Sequence, residues 1–230
     1  MRRITAISVA AATLALLAIP AGASARNSQG SQGGTTGSAV DAITGLLPEA
    51  TQESCDAPFL EQPFAFAGDL LDYVLAPDGS FEGTEGEGWL LDGGAEVIDG
   101  NDPFPIRPGA DDDAILSMPA GGSATSAPMC VDLDYPHFRL AAHQIPADNG
   151  KIRGRLKVET LYPNAKNPRW HKVDVLKPNA DEWVLSDFLD LEPERGASGP
   201  GGRQVSLRFT AVGGGGFEID DVYVDPRFRN

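Results

Sequence analysis

The stretch Gly213-Gly-Gly-Gly-Phe-Glu-Ile-Asp-Asp-Val-Tyr-Val-Asp-Pro226 begins as a strand of alternating polarity. Phe217 and Ile219 share one face of this strand, whereas the next apolar residues, Val222 and Val224, have the opposite parity. Because side chains alternate between the two faces of a sheet, one extra residue moves every later side chain to the other face. We therefore predict a β-bulge between Ile219 and Val222.

The predicted bulge falls on Asp220 and Asp221. Bulges redirect side chains and are frequent beside functional sites. Two carboxylates held at such a position could bind a cation. The alternative is that both side chains accept hydrogen bonds from backbone N–H groups and hold no metal.

The rest of the chain is divided into short alternating runs by Gly, Pro, Asn and Asp, without a sustained apolar period of 3.6 residues. This pattern predicts an all-β protein. One strand, Trp89–Ile98, is interrupted by Gly93-Gly94. The predicted strands are Leu70–Leu75, Trp89–Ile98, Ala114–Met118, Met129–Leu133, His137–Ala142, Ile152–Tyr162, Trp170–Leu176, Gln204–Thr210 and Phe217–Val224.

Residues 1–25 have the pattern of a secretory signal peptide. Arg2 and Arg3 precede an apolar run from Ile7 to Ile19, and Ala23-Ser-Ala25 has the form of a cleavage site. An uncleaved membrane anchor is the alternative, but the run is short for a membrane span. We expect cleavage after Ala25, a secreted protein, and no membrane insertion of the mature chain.

Two segments follow the signal peptide. Residues 26–54 are rich in Ser, Gly, Gln and Thr up to Val40, which predicts a flexible linker. Residues 55–230 are numerous enough for one domain with a substantial core. The formal net charge of −15 argues against nucleic acid or an anionic membrane as a partner. We expect a monomer.

The chain has two cysteines, Cys55 and Cys130. In an exported protein this number predicts a disulfide, which would stabilise the fold by roughly 4 kcal/mol in the chain-entropy model. The alternative role of a cysteine as nucleophile or metal ligand lacks support, because no Cys-x-x-Cys motif or nearby His is present.

Strands Ile152–Tyr162 and Trp170–Leu176 are predicted to form an antiparallel hairpin. The favoured register places Glu159 opposite Lys172, because a slip by two residues opposes like charges, and opposed charges change stability by roughly 0.2–1 kcal/mol. His171 then lies beside Thr160 on the inner face. The same register pairs Val158 with Val173, Leu156 with Val175, Lys157 with Asp174, and Leu161 with Trp170.

Two motifs resemble those of a known group. Asp78-Gly-Ser-Phe-Glu82 followed by Gly88-Trp89 resembles the opening of β-jelly-roll carbohydrate-binding modules, although Asn is common where this chain has Asp78. Gly216-Phe-Glu-Ile-Asp-Asp-Val222 resembles their last strand. The broader group is the galactose-binding-like, or discoidin-like, jelly roll. The resemblance implies an all-β sandwich of jelly-roll type with antiparallel sheets.

In that group the first and last strands lie side by side, and a structural calcium often sits where they meet. The resemblance implies Glu82 and Asp221 as calcium ligands, with Asp220 as a substitute. Calcium suits such a site because it takes six to eight oxygen ligands with loose geometry. The family's Gly-Trp also packs inward, which implies that Trp89 is a core residue, and we expect the same of Trp183.

Common catalytic motifs are absent: the sequence has no Gly-x-Ser-x-Gly elbow, His-Glu-x-x-His motif or P-loop. His137, His143 and His171 lack metal-ligand spacing. The acidic runs Asp99–Asp102 and Asp111–Asp113 lie among Gly and Pro and are expected to be solvated loops.

The outer face of the predicted hairpin holds the candidate ligand site. Trp170 shares that face with Lys172 and could stack on a sugar ring, although a covering sheet layer would make it a core residue instead. Arg153 and Arg155 are cations without a predicted cross-strand partner, in a segment that is locally basic. Charge could guide an anionic glycan or an acidic partner to this face.

Three functions fit the sequence. The first is a non-catalytic module that binds carbohydrate, a glycan or another envelope component, at the cell envelope or outside the cell. The second is a structural or adhesive envelope protein that binds another protein. The third is a carbohydrate-active enzyme, such as a lyase. The glycan hypothesis depends on the family resemblance, because one fold supports many functions.

Overall fold

The computed structural model describes residues 59–83, 88–109, 112–131, 137–147, 150–151, 153–177, 182–191 and 203–226. Among these residues, no helix is long and apolar enough to cross a membrane. A 3-10 helix spans Ala65–Ala67. The strands are β1 (Val74–Leu75), β2 (Trp89–Asp92), β3 (Glu96–Asp99), β4 (Ala114–Met118), β5 (Ser123–Ser126), β6 (Met129–Val131), β7 (His137–Ile145), β8 (Arg155–Leu161), β9 (Trp170–Leu176), β10 (Val184–Leu185), β11 (Leu189–Asp190), β12 (Arg203–Val212) and β13 (Gly216–Asp225).

The strands form two antiparallel sheets. The seven-stranded sheet has the order β10-β7-β13-β4-β3, with β1 paired to β13 and β11 paired to β7. The six-stranded sheet has the order β2-β5-β12-β8-β9, with β6 paired to β12. The predicted fold class, an all-β sandwich of jelly-roll type, is confirmed.

The main core lies between the two sheets. Alternation in each strand sends its apolar side chains inward, so that Phe138 of one sheet meets Phe209 of the other, with 6.4 Å between ring centroids. An aromatic series links Phe81 to Trp89 at 5.4 Å and Trp89 to Phe209 at 5.8 Å between ring centroids. The expectation that Trp89 packs inward is confirmed, since its exposure is 8%.

A second apolar cluster covers the outer face of the seven-stranded sheet. Phe64 and Tyr73 both come before β1 in the sequence. They pack with Ile106 onto Ala141 of β7 and Tyr223 of β13. This sheet is therefore buried on both faces. The described residues form no comparable cluster on the outer face of the six-stranded sheet.

The predicted bulge in β13 is confirmed. The pairing of β13 with β7 shifts register between Asp220 and Tyr223. Asp221 has a φ of 50°, in the left-handed region that a non-glycine residue seldom adopts. The extra residue lets Ile219 and Val222 both face the core, and each is fully buried.

Several strand predictions need correction. Strands β4 and β9 have the predicted bounds, but Trp89–Ile98 is two strands: β2 joins the six-stranded sheet and β3 joins the seven-stranded one. Gly93 and Gly94 allow this crossing, with φ values of 66° and 83°. The strands β5, β10 and β11 were not predicted, since they are short or polar. The first strand is limited to Val74–Leu75, and β8 begins at Arg155, after Gly154 with a φ of 134°.

The predicted hairpin register is confirmed near its turn and wrong beyond it. Glu159 pairs with Lys172, and Leu161 pairs with Trp170. A bulge then shifts the register, so that Leu156 opposes Leu176 rather than Val175. Val173 and Leu176 have opposite parity, yet both pack against the main core. The bulge allows both side chains to face the core. The shift replaces the predicted pairs of Val158 with Val173 and Lys157 with Asp174 by pairs of Val158 with Asp174 and Lys157 with Val175.

The predicted disulfide remains a prediction. Cys130 lies in β6 and is 7% exposed, whereas Cys55 lies outside the described residues. The predicted signal peptide (residues 1–25) and linker (residues 26–54) also lie outside the described residues.

Replacing Phe209 by Ala tests the main core. Phe209 is fully buried and packs against Trp89 and Phe138. We expect Phe209→Ala to lower the free energy of unfolding by roughly 3–5 kcal/mol in urea denaturation, from lost burial and the resulting cavity. The neighbouring Thr210→Ala, on the outer face, should cost less than about 1 kcal/mol. Equal losses in the two variants would contradict this account of the core.

Candidate functional site

The outer face of the six-stranded sheet carries a row of side chains that crosses five strands. Cross-strand pairing aligns Lys172, Glu159, Arg208, Thr125 and Leu90 in this order. Neighbouring strands lie about 4.8 Å apart, so the row extends over roughly 19 Å. We call this surface the outer face.

A carboxylate with two cations lies at the middle of the outer face. Glu159 Oε2 accepts hydrogen bonds from Nε and Nη2 of Arg208, at 2.9 and 2.6 Å. Its Oε1 lies 3.0 Å from Nζ of Lys157. Glu159 is only 7% exposed, and such a buried carboxylate requires charged partners. The contacts made by Glu159 and Lys157 differ from those predicted, because Lys157 was expected to pair with Asp174.

Trp170 lies on this face beside the ion cluster. The guanidinium carbon of Arg208 is 4.1 Å from the centroid of the Trp170 ring, a cation–π contact. The ring is half-buried, and its cross-strand neighbour Leu161 is fully buried. Within the described part of the chain, Nε1 of Trp170 is buried without a hydrogen-bond partner. Trp170 is thus a positioned aromatic ring with an unused donor.

The other predicted ligand-binding residues divide into two groups. Lys172 is exposed two residues from Trp170, on the same face. Arg153 and Arg155 are also exposed, but Arg155 lies at the opposite end of β8 from Leu161, the partner of Trp170. Six residues at about 3.3 Å each place it roughly 20 Å away. The structure does not bring Arg153 or Arg155 together with Trp170.

Sequence reasoning missed Arg208 and Glu159 as members of the site. Arg208 is the only charged residue in the predicted strand Gln204–Thr210, and its neighbours Leu207 and Phe209 are buried. The alternation of β12 could therefore have predicted that Arg208 points to the outer face. Its pairing with Glu159 was not, because strands β8 and β12 are far apart in the sequence.

The bulge of β13 buries both of its carboxyl groups. Asp220 is fully buried and Asp221 is 1% exposed. Asp220 accepts hydrogen bonds from the backbone N–H of Asp221 at 2.8 Å and of Asp102 at 3.3 Å. Among the described residues, neither carboxylate oxygen of Asp221 has a hydrogen-bond partner. Asp220 therefore matches the alternative of backbone hydrogen bonding, and Asp221 does not.

Asp102 and Asp112 join this acidic cluster. The expectation that Asp99–Asp102 is a solvated loop is wrong for Asp102, which is 6% exposed. Burial, with the charges of Asp102 and Asp112, raises the pKa of Asp221 to about 8, against the opposing charge of Arg107. Burial, with the charges of Asp221 and Asp102, raises the pKa of Asp220 to about 9. Burial likewise raises the pKa of Asp102 to about 6. At neutral pH the cluster thus needs protons or a cation.

Glu82 belongs to the rim of this acidic cluster. Its Oε1 accepts hydrogen bonds from the backbone N–H groups of Asp113 and Ala114, at 2.9 and 3.0 Å. Burial raises the pKa of Glu82, and the two backbone bonds oppose that rise. In the described ranges, no group of three or more His, Cys, Asp or Glu side chains converges as metal ligands. The buried carboxylate atoms without partners nevertheless have the donor chemistry that calcium takes.

A second polar network lies under the outer covering of the seven-stranded sheet. The Tyr73 hydroxyl lies 2.7 Å from Oδ2 of Asp69 and 3.0 Å from Nε2 of His137. Asp69 also accepts a bond from Arg139 at 2.9 Å. Burial opposes ionisation of Asp69, but bonds from Tyr73, Leu71 and Arg139 outweigh it and lower the pKa of that carboxyl. These groups bind one another, and Arg139 also lies against the rings of Phe64 and Phe188.

Trp183 is less buried than expected. It is half-buried and stacks on His143, with 5.6 Å between ring centroids. His143 Nδ1 lies 2.8 Å from Oε2 of Glu218. His143 and Glu218 lie on the outer side of the seven-stranded sheet. Trp183 therefore packs against the second apolar cluster rather than in the main core.

Comparison with known proteins finds the fold among solved structures. No protein-family model matches the chain, and no curated protein matches it. The chain is similar to a CBM22 xylan-binding domain from Paenibacillus barcinonensis, with 13% identity, 70% of this chain and 97% of that chain covered, and a TM-score of 0.47. It is also similar to a family 22 carbohydrate-binding module from Clostridium thermocellum, with 18% identity, coverage of 64% and 91%, and a TM-score of 0.42.

A third similar structure is the module TmCBM61 in complex with beta-1,4-galactotriose. It has 15% identity, coverage of 66% of this chain and 96% of that one, and a TM-score of 0.39. Modules of this kind have the jelly-roll sandwich that the two sequence motifs predicted. At these identities the similarity concerns the fold alone.

Removing the Arg208 charge tests the ion cluster. Arg208→Met keeps an apolar stem but leaves Glu159 with Lys157 as its remaining ion partner among the residues described. We expect a loss of about 2 kcal/mol in unfolding free energy, below the 3–5 of a fully buried pair because Arg208 is partly exposed. The exposed Lys172→Met should change stability by less than about 0.5 kcal/mol. The double variant Arg208→Met/Glu159→Gln should recover part of the loss; full additivity would contradict the coupling.

Proposed function

We propose that this protein is a non-catalytic carbohydrate-binding module. In this proposal the protein is exported after removal of residues 1–25, carries the Cys55–Cys130 disulfide, and acts as a monomer at the cell envelope or outside the cell. The observation that carries the proposal is the outer face, where the Trp170 ring, held by Arg208, adjoins charged and hydroxyl side chains.

The outer face has the chemistry that an uncharged glycan needs. Sugar rings present apolar C–H groups that pack on aromatic rings, and hydroxyls that bond to polar side chains. Glu159 holds the charged groups of both Arg208 and Lys157, so the two cations at the centre of the face are already engaged by a carboxylate. Because these cations are engaged, we favour a neutral glycan over the anionic one that the basic segment suggested.

The second buried network does not favour the enzyme hypothesis. A lyase would need a base and an Arg beside an open cleft. The candidate groups, Tyr73, His137 and Arg139, are hydrogen-bonded within a covered cluster, and Tyr73 is fully buried. Burial and the neighbouring Asp69 also raise the pKa of Tyr73, so its hydroxyl is a poor base at neutral pH.

A second candidate function is binding to another protein. Four large apolar side chains are exposed in the segment that covers the seven-stranded sheet: Phe59 (80%), Leu60 (44%), Phe66 (45%) and Leu70 (68%). Exposed apolar groups in one segment are typical of protein interaction surfaces. This surface lies on the opposite sheet from Trp170, so variants can separate the two functions.

The proposal includes a structural calcium at the acidic cluster. Asp221 supplies two buried carboxylate oxygens, and Asp102 and Asp112 add buried oxygens without partners in the described part of the chain. Asp220 and Glu82, the other predicted ligands, are engaged with backbone N–H groups and support the cluster. A bound cation would neutralise the buried negative charge and fasten the connection between β3 and β4 to the last strand.

Glycan binding is expected to depend on Trp170. We predict that the full chain binds neutral glycans on an array, and that Trp170→Ala weakens binding by about tenfold or more in calorimetry, as loss of a stacking ring entails. Phe66→Ala, an exposed aromatic on the other sheet, is the matched control and should bind normally. Absence of binding to any glycan would contradict the proposal and favour the protein-binding alternative.

Calcium is expected to stabilise the protein through Asp221. At a free calcium concentration of 100 times Kd, the gain in unfolding free energy should be about 2.7 kcal/mol. Asp221→Asn should remove this response and raise the melting temperature of the EDTA-treated protein at neutral pH, because it removes a carboxyl group that must otherwise be protonated to be buried. The exposed Glu96→Gln should retain the calcium response. A melting temperature of the wild type that calcium does not raise would refute the site.

A further inference from the structure

A small cavity opens at the side of the sandwich, where the edges of the two sheets approach each other. Strand β9 forms one wall as the edge of the six-stranded sheet, and the segment around β11 forms the other. The cavity has a volume of about 140 Å³. It is lined by Thr160, His171, Lys172, Asp174, Phe188 and Asp190, among others.

The bulge of β9 directs a carboxylate into this cavity. Regular alternation would place Asp174 opposite Lys157, with its side chain on the outer face. The register shift instead pairs Asp174 with Val158, whose side chain is fully buried in the main core. Asp174 therefore turns toward the gap between the sheets, and it lines the cavity together with Asp190 of β11.

Phe188 provides an exposed aromatic wall. Its side chain is 54% exposed, which is unusual for so large an apolar residue. The ring is held in place by an edge contact with His137 at 4.6 Å and by the Arg139 guanidinium at 5.2 Å. A ring fixed on one side and open on the other is suited to stacking against a ligand.

Thr160 supplies a buried hydroxyl without a partner. The residue is fully buried, and in the described ranges its Oγ1 has no hydrogen-bond partner. A buried polar group left unpaired is costly, and native structures normally satisfy it. Since Thr160 lines the cavity, a ligand hydroxyl could provide the missing bond.

Size and charge define the class of ligand. Pockets for drug-sized molecules measure roughly 300–1,000 Å³, so this cavity fits one ring rather than a length of chain. Asp174 and Asp190 accept hydrogen bonds, whereas Lys172 donates them, and the mixture favours a ligand with many hydroxyls over a strong anion or cation. Phe188 adds a surface for the apolar face of such a ring.

We infer that the cavity between β9 and β11 binds a single neutral sugar residue, such as a chain end, as a second site beside the outer face. Phe188 stacks on the ring, the carboxylates of Asp174 and Asp190 accept bonds from its hydroxyls, and Thr160 bonds to one of them. The site is independent of Trp170, so it does not require the outer face to bind a glycan.

The test is an NMR shift titration of the full chain with D-glucose, D-galactose, D-xylose and L-arabinose. At least one of these sugars should shift the amides of Thr160, Asp174 and Asp190 in a saturable way. Phe188→Ala should weaken that binding by about tenfold. Trp170→Ala should leave it unchanged, and this separates the cavity from the outer face.

A second variant and two charged probes complete the test. Thr160→Val is nearly isosteric and removes the unpaired hydroxyl, so it should fold normally and weaken binding even if Phe188→Ala destabilises the protein. Sodium glucuronate and tetramethylammonium chloride serve as charged probes. The inference is overturned if no neutral sugar shifts these amides, if only a charged probe does so, or if Trp170→Ala abolishes the shifts while Phe188→Ala does not.

Discussion

The bulge at Asp220 and Asp221 is the constraint on which the rest of the sandwich depends. Strand β13 pairs with β1, β4 and β7, so its side chains decide how the seven-stranded sheet faces the core. Without the extra residue, the sheet would bury either the apolar pair before the bulge or the pair after it. Burying two more such side chains is worth roughly 3–6 kcal/mol. The cost is two buried carboxyl groups, which backbone N–H groups, protons or a cation must offset.

The covering of the seven-stranded sheet explains where binding can occur. Phe64, Tyr73 and Ile106 close its outer face, and the polar groups beneath them, including His137, bond to one another. The six-stranded sheet lacks such a covering among the described residues. On that sheet Arg208 orders the polar row by contacting both Glu159 and Trp170, and Lys172 is exposed beside them. The difference between the outer surfaces of the two sheets follows from the location of the second apolar cluster.

The sequence pattern predicted those features of the fold that depend on residues close together in the chain. The parity change in β13 and the bounds of β4 and β9 were readable, because apolar periodicity carries them. The polar strand Ser123–Ser126 has no such period, since its partners on both sides hold it in place. Charge pairing predicted the hairpin register only near its turn: a charge pair is worth roughly 0.2–1 kcal/mol, less than the roughly 1.5–3 gained by burying a residue such as Leu176. Arg208 and Asp102 were missed because their partners are distant in sequence.

The two bulges of this sandwich share one cause and one chemical result. Each lets two apolar residues of opposite parity reach the core, and each disrupts the ladder of backbone hydrogen bonds. An aspartate side chain then accepts the next residue's N–H: Asp220 from Asp221 at 2.8 Å, and Asp174 from Val175 at 2.6 Å. A backbone donor freed at a bulge needs such a partner. Core packing therefore favours a carboxylate at each bulge. At the first, Asp220 supports the cluster in which we propose that Asp221 binds a cation, and at the second, Asp174 lines the cavity that we propose binds a sugar.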